Sequence, residues 1–289
     1  MPSLVQIGLD SWEGSDIELI TSKPESAVYR LSSGHNSAVL KMSLDGNGFE
    51  LAAYRLLQNY QVPTLQVYAS GADWILLEDL QTSRDWRLAT VDDADSEETG
   101  AALADWFKAL HAATGAAQLL ESIAPSVLMR QCDALTRESL QVTGERLGIS
   151  GLPVWHLAVS SVEQLKAGFL SYPETLNYND FHWTNLALSR NDRLDAVVFD
   201  YHLLGIGPVW CDRRNVCGSL GPTAREAFIA AYGEVDDSVA VFDQPLSVLY
   251  SLGVASRLER VPGWAHACLE CVRNGELESL LIEALGSSG

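Results

Sequence analysis

Basic side chains are scarce in this chain: 19 Lys and Arg stand against 38 Asp and Glu, a formal net charge of −19 over 289 residues. A surface of that sign repels phosphate backbones and anionic headgroups, so nucleic acid and membranes are poor partners and a cationic small molecule is a favoured one. Long apolar runs are missing too. None reaches the length that crosses a bilayer, and the start has no basic region followed by an apolar stretch, so the expected location is the cytoplasm. Cysteine is sparse and odd in number. Cys132, Cys211, Cys217, Cys268 and Cys271 do not make a disulfide framework, and reduced thiols are the expectation. Repeats and low-complexity tracts are absent, while 47% hydrophobic residues suffice for one large core or two modest ones.

What is present is concentrated in the second half. Asn179, Asp180, Phe181, His182, Trp183, Thr184 and Asn185 precede the apolar run Ala196, Val197, Val198 and Phe199, which ends at Asp200. An Asp and an Asn five residues on mark a turn as readily as a site, because both residue types favour turns. Asp200 changes the weight, since a carboxylate delivered at the end of a buried strand needs a reason. Phosphoryl transfer supplies one: its spread charge asks for positioning and cations more than covalent chemistry. Asn185 and Asp200 offer Mg²⁺ one amide oxygen and one carboxylate. Asp180 suits the acceptor side, where a carboxylate takes the proton of an attacking hydroxyl.

A second group lies upstream. Ser37, Ala38, Val39, Leu40, Lys41 and Met42 read as a strand carrying one Lys, and a helix follows that opens near Glu50 and sets Phe49, Ala53, Leu56, Leu57 and Tyr60 on one face. A strand Lys paired to a helix Glu holds an ammonium against nucleotide phosphates, although each residue alone also suits an ordinary surface. Trp74, Ile75, Leu76, Leu77, Glu78, Asp79 and Leu80 form an apolar strand ending in two acids. Leu103, Trp106, Phe107 and Leu110 make the stripe of a core helix.

Taken in order, Lys41, Glu50, the strand through Leu80, the helix at 104–111, Asp180 with Asn185, and Asp200 resemble the aminoglycoside phosphotransferase-like proteins, a superfamily that includes choline, ethanolamine, homoserine, methylthioribose and fructosamine kinases. The resemblance covers about residues 17–220. It implies an α+β, two-lobed, protein-kinase-like fold. Residues 1–80 would be the nucleotide-binding lobe, with an antiparallel sheet and one helix, and residues 81–289 a larger, mostly helical catalytic and acceptor lobe. It also implies ATP or GTP as donor, Mg²⁺, and a hydroxyl of an aminoglycoside, amino alcohol, sugar or similar molecule as acceptor. Position by position, Asp180 looks like the catalytic base, Asn185 and Asp200 like metal ligands, Lys41 like the phosphate-binding Lys and Glu50 like its partner. Glu78 and Leu80 fall where the hinge backbone meets the base. Asp212 looks like a downstream brace of the catalytic loop.

Two departures stand out. The family's His-Gly-Asp is Tyr178, Asn179, Asp180 here; Asn tolerates left-handed backbone angles, so the loop is expected to survive. The phosphate-covering loop at 21–26 contains no Gly. Ser22 and Ser26 can offer hydroxyls, but Pro24 removes a donor and Glu25 repels. A kinase-like binding protein with little or no transfer is therefore the alternative. A zinc-stabilised interaction protein, from the Cys268 and Cys271 spacing, is a third reading. The acidic run at 92–98 reads as a solvated loop and helix start. Helices are expected near 129–147, 161–171, 223–232, 245–258 and 264–285, the last divided at Gly263 and Gly275. Asp133, Glu138, Glu226 and Glu259, with Trp155, Trp183, Trp210 and Trp264, are candidates to meet an acceptor or fill the core.

Overall fold

The computed structural model describes residues 4–44, 49–113, 128–191 and 194–287. The chain divides into two compact units. One comprises Met1–Thr114, Asp180–Leu204 and Asn215–Gly233; the other comprises Gly115–Asn179, Gly205–Arg214 and Glu234–Gly289.

The first unit is built on a five-stranded antiparallel sheet of order β1-β2-β3-β5-β4, from β1 (Asp16–Ser22), β2 (Ser26–Ser33), β3 (Asn36–Ser43), β4 (Val67–Ser70) and β5 (Trp74–Glu78). Gly34, at φ +61°, turns the chain between β2 and β3, a conformation that costs glycine nothing. Period-two alternation then decides the faces. Ala38, Leu40 and Met42 of β3 are buried against Leu4, Leu9, Leu31 and Leu76, while Ser37, Val39 and Lys41 occupy the partly open face.

Helix α1 (Phe49–Asn59) buries Ala53, Leu56 and Leu57 as expected. Tyr60 does not follow them; it is exposed, because the helix stops at Asn59 and the chain turns through Gln61 at φ +60°. Tyr54 takes the buried aromatic place instead, edge-on to Tyr201 at 4.7 Å between centroids.

Helix α2 (Glu97–Ala112) is capped by Ser96 and buries Leu103, Trp106, Phe107 and Leu110. Trp106 Nε1 donates to the Pro63 carbonyl at 2.9 Å. The acidic run ahead of α2 is, as expected, an exposed loop and the acidic start of the helix: Asp92, Asp95, Glu97 and Glu98 are exposed, and two of its acids anchor it. Asp93 accepts from Arg87 on the short strand β6 (Trp86–Leu88) at 2.7 and 2.8 Å, and Asp95 accepts from the Thr223 amide at 2.7 Å. Strand β6 pairs with β8 (Leu186–Ser189), which pairs with β9 (Ala196–Val198).

The second unit is mainly helical, with a two-stranded ribbon of β7 (Thr175–Asn177) and β10 (Gly205–Gly207). The expected helix at 129–147 is two pieces: a 3-10 turn at Gln131–Ala134 and α3 (Arg137–Leu147). Thr136 restarts the helix through a reciprocal cap with Ser139. The helix expected near 161 already begins at Pro153, a residue pre-set for a first helical turn, and runs as α4 (Pro153–Phe169). Helix α5 (Val209–Ser219) carries the chain between the units, and α6 (Pro222–Tyr232) packs on α2.

Helix α7 (Ala240–Ala255) starts five residues ahead of Pro245, since buried Phe242 and the Asp243–Arg214 pair (2.6 Å) hold the preceding turn helical. Gly275, at φ +87°, separates α8 (His266–Arg273) from α9 (Glu276–Gly286) as expected, and a 3-10 turn opens at Gly263. Among the described residues no helix is long and apolar enough to cross a membrane.

Two tests of stability follow from this packing. A Cβ built at Gly100 would lie 2.1 Å from the Ala224 carbonyl oxygen, so Gly100→Ala must separate α2 from α6. Urea denaturation of that variant is expected to lose about 1–3 kcal/mol, with Gly253→Ala, where the nearest atom is 3.8 Å away, as the tolerated control.

The hydrogen bonds from Arg87, helped by those from Thr90, hold the Asp93 carboxyl at about 2, against an ordinary 3.8. Its stabilisation is therefore full above the unfolded value and disappears as pH falls through the folded one. Asp93→Asn should lower the thermal midpoint at neutral pH, by a margin that shrinks as pH falls from about 4 to about 2.

Candidate active site

Strand β3 brings Lys41 to the open face of the sheet, and the first turn of α1 brings Glu50 to it. Lys41 Nζ lies 2.5 Å from Glu50 Oε2 and 2.6 Å from Asp200 Oδ1. One ammonium thus bridges two carboxylates, and all three side chains are mostly shielded from solvent. Burial alone would discharge the ammonium, but the charges of Glu50 and Asp200 outweigh it and hold Lys41 above its ordinary value. Burial likewise opposes the charge on Asp200, yet the bonds from His202 and Lys41 hold this carboxyl below the usual range. Burial raises Glu50, and Lys41 offsets this only in part.

Asp180 joins this set through a residue that the motif reading passed over. His202 Nδ1 is 3.2 Å from Asp200 Oδ1, and its Nε2 is 3.7 Å from Asp180 Oδ2. The imidazole spans the two carboxylates. The hydrogen bond to Asp200 raises its affinity for a proton, and the charges of both acids add to this. The available signal was a His two residues beyond an Asp that closes an apolar run. Asp180 itself is raised, first by burial and then by the like charge of Asp200, with opposing fields from His202 and Lys23. Lys23 sits in the turn between β1 and β2, within the expected phosphate-covering loop.

The loop carrying Asp180 is strained and braced. Asn179 has φ +68° and Asp200 φ +69°, two of the three non-glycine residues with positive φ among those described. Asn in the position expected of Gly does adopt the left-handed conformation. Within the second unit, the buried Asp212 carboxylate accepts from the Tyr178 and Asn179 amides, each at 2.8 Å. Both amides are thereby turned the same way. In the first unit, Phe181 is buried against Phe107, ring centroids 5.8 Å apart. Asn185 closes a 3-10 turn with its amide donating to the His182 carbonyl at 2.8 Å, and its own carbonyl accepts from Phe199 at 3.0 Å. That bond sets Asn185 beside the residue before Asp200.

The remaining expected residues lie around the same sheet. Ser22 and Ser26 flank a tight turn in which Lys23 and Ser26 exchange backbone bonds of 2.8 and 3.3 Å. Pro24 has no amide, so Glu25 supplies the one N–H of this turn without a partner among the described residues. Glu78 ends β5, its carboxylate taken by Ser83 Oγ at 2.5 Å. Leu80 follows, buried, with no partner for its backbone N–H or C=O among the described residues.

The candidate acceptor residues differ in burial. Asp133, Glu138, Glu226 and Glu259 are all exposed, Trp155 is core, and Trp264 is exposed. A cavity of about 30 Å³ beside Asn179 has room for a single water. Cys271 is buried on α8, its thiol pushed up to about 11 by burial, and the described residues contain no cluster of three His, Cys, Asp or Glu set for a metal.

The sequence model of the phosphotransferase enzyme family (APH) matches residues 16–242. The chain belongs to the phosphotransferase enzyme family. No curated protein matches it in sequence. Solved structures share its fold at low identity. Choline kinase LicA from Streptococcus pneumoniae superposes with a TM-score of 0.61 at 12% identity, covering 96% of this chain and 98% of that one. The ADP-bound aminoglycoside phosphotransferase APH(2″)-Ib gives 0.62 at 16%, covering 98% of each. Macrolide 2′-phosphotransferase MphH from Brachybacterium faecium gives 0.55 at 16%, covering 93% of this chain and 97% of that one. The kinase-like α+β fold of this phosphotransferase-family member, sheet toward the N-terminus and helices beyond, is the one expected.

The left-handed residue in the loop gives a direct test. Asn179→Gly should fold as well as wild type, whereas Asn179→Val should lose about 1–3 kcal/mol in urea denaturation, the usual cost of forcing a β-branched residue to positive φ.

Proposed function

We propose that this chain transfers the γ-phosphoryl group of ATP or GTP to a hydroxyl of a small molecule, cationic acceptors being favoured by its net charge. The observation that carries the reading is the ammonium of Lys41 bound to both Glu50 and Asp200, with Asp180 linked to the same carboxylate through His202. Nucleotide use is supported by the ADP found in a neighbour of the same fold. Residues 1–80 would hold the nucleotide, through Lys41, Ser22, Ser26 and the backbone around Glu78 and Leu80, and residues 81–289 would hold the acceptor. A nucleoside triphosphate as donor suits the cytoplasm.

The residues at Asn185 and Asp200 fit Mg²⁺. Both are hard oxygen donors, and Asp200 is held ionised by its surroundings. When bound there, the ion would neutralise charge on the transferring phosphoryl group. The chain's own groups do the rest. Glu50 keeps Lys41 aimed and charged for the phosphates, and Asp180 orients the acceptor hydroxyl and takes its proton. The raised affinity of Asp180 for a proton suits that second role.

The tight β1–β2 turn favours the second reading, a nucleotide- or ligand-binding protein with little transfer, because among the described residues it leaves one unpartnered amide where phosphates need several. One experiment separates the two. Wild type and Asp180→Ala are given Mg·ATP or Mg·GTP with a panel of aminoglycosides, amino alcohols and sugars, and product phosphate ester is measured. Transfer by wild type that falls about 10²–10⁴-fold in Asp180→Ala, at little-changed nucleotide affinity, supports the kinase. Nucleotide binding without transfer to any acceptor supports the binder, and transfer undiminished in the variant removes Asp180 from its role.

A further inference from the structure

The segment after β5 is held by Glu78, whose carboxylate takes Ser83 Oγ, and by one fully buried carboxylate. Asp79, 2% exposed, accepts from Arg30 Nε at 2.8 Å and Ser37 Oγ at 2.5 Å through Oδ2, and from the Gln81 amide at 3.1 Å through Oδ1. Its carbonyl accepts from Thr82 and Ser83 at 3.0 and 2.9 Å. Every bond here is between parts of the first unit. Arg30 belongs to β2 and Ser37 to β3, so one side chain ties two strands to the turn that follows a third.

The place of this cluster on the sheet gives it meaning. Arg30 pairs across the sheet with Val39, and Val39 with Leu77, so Arg30, Ser37, Val39, Lys41 and Leu77 share a face. Asp79, two residues past Leu77, comes to the same face. Lys41 stands at one end of it and the Asp79 cluster at the other. Lys41 is four positions along β3 from Ser37, about 13 Å at roughly 3.3 Å per residue, a span that suits an extended nucleotide with its phosphates at Lys41. At the far end is Leu80, buried, its N–H and C=O unpartnered among the described residues. Buried backbone groups are almost always paired, so an adjacent donor and acceptor left open ask for a ligand.

Resting on the phosphotransfer reading above, we propose that Arg30, Asp79 and Ser37 form a clamp that fixes the 79–83 turn and so presents the Leu80 N–H and C=O to the edge of the nucleotide base. They are positioning residues, acting through Leu80. Glu18, which also meets Arg30 at 2.8 Å, is 67% exposed and sits outside the clamp; exposed pairs contribute little. A buried ion pair is poor support for stability in itself but a good device for selecting one geometry, which is the part it plays here.

The test uses the full chain with Arg30→Met, Asp79→Asn and Ser37→Ala, and Glu18→Gln as control. Hydrogen exchange at residues 80–83 is measured without ligand, and the affinity for Mg·ADP by calorimetry. Arg30→Met and Asp79→Asn should speed exchange of those amides but not of β2 and β3, and weaken Mg·ADP about tenfold, the scale of one lost charged hydrogen bond. Ser37→Ala should do the same more weakly, Arg30→Lys should restore part of the loss, and Glu18→Gln should match wild type. If Asp79→Asn does not fold, Ser37→Ala and Arg30→Met carry the comparison. Faster exchange with unchanged Mg·ADP affinity overturns the positioning role, and unchanged exchange overturns the clamp. A wild-type chain that binds no Mg·ADP removes the phosphotransfer reading and this proposal with it.

Discussion

One ammonium between two carboxylates is what the candidate site depends on. Lys41 comes from a central strand, Glu50 from the first turn of helix α1, and Asp200 from a segment 159 residues further along the chain. Any one of these charges left alone in so shielded a place would be expensive; together they pay each other's desolvation. The arrangement therefore holds only while the sheet, helix α1 and the turn after β9 keep their places. Structure and site are the same set of constraints here.

The two left-handed residues show how those constraints are used. Asn179 and Asp200 each stand at a backbone conformation that costs an ordinary residue free energy, and each is held by strong bonds. Within the second unit Asp212 turns the amides of Tyr178 and Asn179 to one side, and within the first Phe181 is anchored on Phe107. Asp200 is fixed by Lys41 and His202. Strain at such positions persists only when the surroundings over-determine it, and here they do.

Much of this was legible in the sequence because it rests on local rules. Period-two alternation put Lys41 on the opposite face from Ala38, Leu40 and Met42, and the tolerance of Asn for positive φ explained how the loop survives without Gly. The stripe of Leu103, Trp106, Phe107 and Leu110 marked α2. What stayed hidden depends on where distant residues meet. His202 gains its place only when the segments carrying Asp180 and Asp200 converge, and Arg30 finds Asp79 only across the registered sheet. Tyr60 was misplaced because the helix period says where a face lies but not where the helix ends, and one residue past Asn59 was enough to expose it. Residues for a proposed acceptor leave the weakest trace, since the acids offered for it are all exposed, as acids ordinarily are.

On the proposed reading, the turn between β1 and β2 changes how charge is balanced during transfer. A Gly-rich loop covers phosphates with many backbone amides, whereas this turn spends two of its amides on itself and has a Pro in place of a third. The positive field must then come from side chains and the metal. Lys41 is one source, and Lys23, whose charge is felt at Asp180, is placed in the turn itself. A point charge on a flexible stem is less directional than fixed amides and is screened by salt where it is exposed. Precision in placing the nucleotide must therefore come from elsewhere, and the buried bonds of Asp79 at the other end of the same sheet face offer a fixed geometry for it.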